Sequence, residues 1–156
     1  MSGVIAVLGV RAIIGAALLT AAILKFSAMG VFEAVLALSG LVPGPAVPLV
    51  AWAVSISEAG VGLLLLTSAM LSPVLVERAL WGAAMLLTAY VTYDVVRITF
   101  GAMPPGPYFG VWSAVHPAVA MAIAAVMLSV VVVLLGRTDT SSFHSHPGAA
   151  ATTPKS

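Results

Sequence analysis

The sequence predicts an all-α fold, a four-transmembrane-helix bundle with a short interfacial helix between the first and second spans. Two observations carry this. Four apolar stretches, residues 4–24, 47–71, 80–100 and 118–135, each approach the ~20 residues that cross a bilayer core as a helix. Hydrophobic residues make up 62% of the chain and charged ones 7%, against about 25% charged in soluble domains. So few charges do not cover a water-facing surface. At 156 residues the chain suits one domain, placed at residues 1–136, followed by a Ser/Thr/Ala/Pro-rich tail at 137–156 whose composition predicts disorder.

The first span holds no Lys or Arg before Arg11, continues apolar to Leu24 and stops at Lys25. A cleaved signal peptide would show a basic start and a shorter apolar core, so the segment reads as a retained helix. Arg11, Gly15, Leu18, Ala22 and Lys25 fall on one helical face, and Gly15 and Ala22 admit close packing there. Residues 31–38 fit a short helix at the membrane surface, with Glu33 toward water. Residues 40–48 carry Gly40, Pro43, Gly44, Pro45 and Pro48 and read as a turn. The second span contains Ser55, Ser57, Glu58, Gly60 and Gly62. Residues 72–78, with Pro73, read as a connector. The third span ends in a polar patch, and Gly101–Gly110, rich in Pro and Gly, reads as a loop. The fourth starts at His116-Pro117, where proline suits a first helical turn.

Four spans place both termini and the 72–78 connector on one side, with Arg78, Arg137 and Lys155. The opposite side carries Lys25 and Arg97, the latter beside Asp94. The positive-inside rule then puts both termini in the cytoplasm. A net charge of +1 gives no reason to expect nucleic acid. The chain has no cysteine, which excludes disulfides and thiol exchange of its own.

Charges set into hydrocarbon are the main clue to function, because each costs about 2.5–3.5 kcal/mol at a helix centre and turns toward partners inside the bundle. Tyr90, Asp94 and Arg97 share one face of the third span, and Asp94 and Arg97 are spaced to pair. Tyr93 stands four before Arg97. The pattern suits a structural ion pair or a polar wall for a ligand or proton path. Glu58 lies roughly 16 Å into the second span, and Tyr90 at a similar depth in the third. Glu58 is either ionised and paired with Arg11 or Lys25, or protonated. It serves either as an interhelical clasp or as a functional carboxyl. His116, near Tyr108 and Trp112, is either a helix-end residue or a contact for a quinone-like ring or a proton. His144 and His146 form a weak two-histidine pattern, and no metal centre is expected. No phosphate loop or Ser/His/Asp set is present.

These residues also carry a family resemblance. Arg11, Gly15 and the run Ala21-Ala22-Ile23-Leu24-Lys25-Phe26 resemble the first helix of DoxX-like membrane proteins, above all the methylamine-utilisation MauE branch. Residues 32–41 with Leu41-Val42-Pro43 match the short helix and Leu-Leu-Pro turn that follow there. Glu58 with Gly60 and Gly62 matches the glutamate and glycine of the second helix. The family's Cys-x-Cys-Phe-Gly loop survives only as the Phe-Gly of Tyr108-Phe109-Gly110. The resemblance covers about residues 10–135. It implies a four-helix bundle in a bacterial inner membrane, linked to extracytoplasmic redox: maturation of methylamine dehydrogenase or quinone-coupled thiosulfate oxidation. Without the cysteine pair, a direct thiol-oxidising role does not carry over.

Three functions follow as expectations. The first is a non-catalytic accessory or assembly subunit, partnered by the bilayer and other membrane-protein subunits of a redox-linked complex. The second is a quinone- or lipid-binding component of a membrane electron-transfer system, with Glu58, Tyr90, Tyr93, Asp94, Arg97 and His116 lining a cleft. The third is a small transporter, which four helices would form only as an oligomer.

Overall fold

The computed structural model describes residues 2–100 and 117–142. Among the described residues the chain forms five α-helices and no strand: α1 (Ser2–Ser27), α2 (Met29–Leu38), α3 (Val47–Leu66), α4 (Pro73–Phe100) and α5 (Pro117–Ser142). α1, α3, α4 and α5 are long and apolar enough to cross a membrane, and α2 is the predicted short helix. Each long helix turns large apolar side chains outward, such as Ile13, Leu49, Met85 and Val126. That is a lipid-facing surface.

The boundaries differ from the sequence expectation in ways with local causes. α3 stops at Leu66 rather than running to Leu71. The Thr67 hydroxyl donates to the Leu63 carbonyl at 2.8 Å, and the chain tightens into a 3-10 turn at Ser68–Met70. α4 begins at Pro73, so most of the expected 72–78 connector is helix. Proline has no amide to leave unpaired in a first turn, and the Leu75 and Val76 amides donate to the Ser72 carbonyl at 3.0 and 3.1 Å. Within the expected connector, Glu77 is half-buried and Arg78 exposed on the second turn of α4, while Val76 and Ala79 turn inward. α5 continues past Leu135 to Ser142, so the expected tail opens with helix; residues 143–156 lie outside the described residues.

α1 packs chiefly on α3, α5 on α4, and α3 against α4 joins the two pairs. The α1–α3 crossing is tight because both helices present glycine at it. A Cβ on Gly15 would lie 2.7 Å from the Gly62 carbonyl oxygen, and one on Gly62 would lie 2.8 Å from that of Gly15. Backbone therefore touches backbone, the small-residue packing that membranes favour. The core at that end is built by Ile14, Leu18, Leu65, Leu80, Leu87 and Val131. α2 docks through Phe32 and Leu36, one turn apart, onto Val47 and Ala51 of α3. Ser39 closes α2 by donating to the Leu36 carbonyl at 2.6 Å. Gly40 then turns the chain at φ 66°, a conformation that glycine adopts without Cβ strain. The turn expected at residues 40–48 holds a single 3-10 turn, Gly44–Ala46, before α3.

Candidate functional site

Inside the bundle, three helices meet at a polar clasp. The Lys25 ammonium on α1 donates to Glu58 Oε1 on α3 at 2.5 Å and to the Tyr90 hydroxyl on α4 at 2.8 Å. Lys25 and Glu58 are both wholly buried. The ammonium also lies 5.4 Å from the centre of the Phe32 ring on α2 and 5.0 Å from that of Tyr90, within cation–π range. Lys25 thus ties α1 to each of the next three helices.

The pairing follows from helix direction. With Gly15 set against Gly62, antiparallel α1 and α3 place Lys25 about 9 Å along the axis from Glu58. Side chains on a helix lean toward its N-terminus. On antiparallel neighbours, Lys25 and Glu58 therefore lean toward each other and close the gap. Of the two cations expected for Glu58, Lys25 is the one found. Arg11 lies about 12 Å from the Glu58 level on the same register and leans the other way. Arg11 is half-buried, and its Nε has no hydrogen-bond partner among the described residues.

Asp94 is wholly buried one turn beyond Tyr90 on α4, and Tyr93 is half-buried beside it. Arg97 belongs to the α4 backbone, but its side chain lies outside the described residues, as do His116, Tyr108, Trp112, His144 and His146. The expected Asp94–Arg97 pair and the Phe-Gly loop therefore fall outside what the structure describes. Of the predicted polar residues, it brings together Lys25, Glu58 and Tyr90.

Only one oxygen of the Glu58 carboxylate is used by the clasp. Oε2 is buried and has no hydrogen-bond partner among the described residues. Glu58 also lines a cavity of about 50 Å³ together with Tyr90 and small or apolar residues of α1, α4 and α5, among them Ala17, Ala21, Ala120 and Ala124. Those alanines recur at i and i+4 on α1 and again on α5. Two short-side-chain faces meet and leave space between them. Sequence reasoning did not single them out, although the Ala-x-x-x-Ala spacing was the available signal. It also missed Phe32 as a ring beside Lys25; the signal there was the Phe32/Leu36 spacing of α2.

The cleft expected for a quinone includes Arg97 and His116, whose side chains lie outside the described residues. A cavity that holds a single benzene ring measures about 150 Å³, three times the volume beside Glu58. The cavity admits water or one small, narrow group. Comparison with known proteins adds no assignment: no family model matches the chain, and neither does any curated protein or solved structure.

Proposed function

We propose that this chain is a DoxX/MauE-like integral membrane protein that serves as a non-catalytic accessory or assembly subunit of a redox-linked membrane complex. One observation carries the reading. Lys25 and Glu58, the charged residues on which the resemblance rests in the first and second spans, form one buried ion pair 33 residues apart in sequence. Gly15 and Gly62, from the same two motifs, form the helix crossing beside it. Motifs that converge on a single junction support a shared architecture, and an architecture fixed by a buried clasp suits a rigid subunit on which others assemble. The resemblance implies a bacterial inner membrane, and the charge bias of the loops favours both termini in the cytoplasm. Affinity purification from native membranes in a mild detergent is the test. We expect a larger membrane partner to co-purify; a chain recovered alone at native expression overturns the reading.

A second reading has its own support. Glu58 lines a cavity, and its Oε2 has no hydrogen-bond partner among the described residues, which favours a lipid-binding component. A volume of about 50 Å³ beside Glu58 favours a narrow group there over a ring. Organic extraction of the purified protein tests this: a retained lipid at about one per chain is expected, and its absence counts against it.

A further inference from the structure

We infer that the seam between α1 and α5 binds a single-chain lipid whose hydroxyl head donates a hydrogen bond to Glu58 Oε2. The inference rests on the lipid-binding reading and narrows it to one chemical class. Three observations carry it. First, Glu58 lines the cavity, and its Oε2 is a buried acceptor with no hydrogen-bond partner among the described residues, so an occupant that reaches it supplies a donor. Lys25 already sits on the same carboxylate, and a second cation there would repel it. A neutral hydroxyl meets the requirement. Second, about 50 Å³ admits a hydroxyl and its first carbons, but neither a ring nor a phosphate headgroup. Third, the seam continues. A second cleft of about 300 Å³ lies along the same pair of helices, between Ala6, Val7 and Val10 of α1 and Val130, Val133 and Leu134 of α5. Its lining is apolar apart from Ser129, whose hydroxyl donates to the Ala125 carbonyl at 2.8 Å. Between the two cavities Ile14 of α1 packs in one core with Val131 of α5; from Ala21 to Ala6 the distance along α1 is about 20 Å, the length of a long hydrocarbon chain.

The experiment uses the full-length protein in detergent, delipidated, with 1-hexadecanol, hexadecane and a short-tailed quinone as probes and thermal unfolding as readout. Hexadecanol is expected to raise Tm with a saturable dependence, hexadecane to act at least tenfold more weakly, and Ala124→Leu, which puts an aliphatic group into the cavity, to abolish the hexadecanol effect. If Ala124→Leu does not fold, Ile123→Trp at the exposed rim of the cavity is expected to weaken hexadecanol at least tenfold. Equal effects of alcohol and alkane overturn the inference, as does a shift that survives the folded filling variant. No shift with hexadecanol also overturns it and leaves the cavity to water. A shift with the quinone but not the alcohol sinks the hydroxyl assignment and leaves the ligand-binding reading standing. No effect of any probe, with no lipid in the organic extract, sinks both.

Discussion

Lys25 and Glu58 show why a buried pair is easier to unbalance than to delete. Each is removed from water and relies on the other, with Tyr90 completing the ammonium's bonds. Removing one partner strands the other charge, which costs about 3–5 kcal/mol, whereas replacing both by apolar residues of similar size is often close to neutral. We expect Lys25→Met and Glu58→Leu each to destabilise the protein by about 3–5 kcal/mol. The double variant should be more stable than either single one. Reversible unfolding in mixed detergent micelles reads this out; a double variant as unstable as the sum of the singles would show that the pair is not an isolated unit. Tyr90→Phe keeps the ring over the ammonium and removes one hydrogen bond from a charged donor, so a smaller loss of about 1.5–3 kcal/mol is expected by the same measurement.

At the scale of the element, the α1–α3 crossing governs everything above it. A methyl group at Gly62 meets a backbone oxygen at 2.8 Å and a backbone nitrogen at 2.9 Å, and backbone atoms do not rotate away. Gly62→Ala is expected to cost about 1–3 kcal/mol, the range for overpacking. Gly60, two residues away, has nothing within 4 Å of an added Cβ. Gly60→Ala should be neutral or slightly stabilising by helix propensity. The pair forms an internal control in one unfolding experiment, and equal effects at both positions would contradict the crossing. Much of this was legible in the sequence and some was not. The four spans and the short helix follow from composition and apolar length, and Gly15 stood out on a helix face. Gly62 could not be matched to it, because register between helices is a property of two chains of residues at once. The partner of Glu58 was open between Arg11 and Lys25 for the same reason: depth along a helix is readable, but the direction in which side chains converge depends on which helices are antiparallel neighbours. The start of α4 was missed because Pro73, read as the mark of a connector, is instead the first residue of the helix.

For the whole molecule, the outward apolar surface on all four long helices requires hydrocarbon around it. Alkaline carbonate is expected to leave the protein in the membrane pellet; release into the supernatant would remove the basis for reading Lys25 and Glu58 as intramembrane charges. The backbones pack in chain order: α1 meets α3, α3 meets α4 and α4 meets α5. α1 and α5 meet through side chains, Ile14 and Leu18 sharing one core with Val131 and Leu134. The Lys25 ammonium reaches from α1 to Tyr90 on α4, past the helix on which α1 packs. One lysine thus fastens the α1–α3 pair to the α4–α5 pair, so its loss loosens the whole bundle at that depth and not α1 alone.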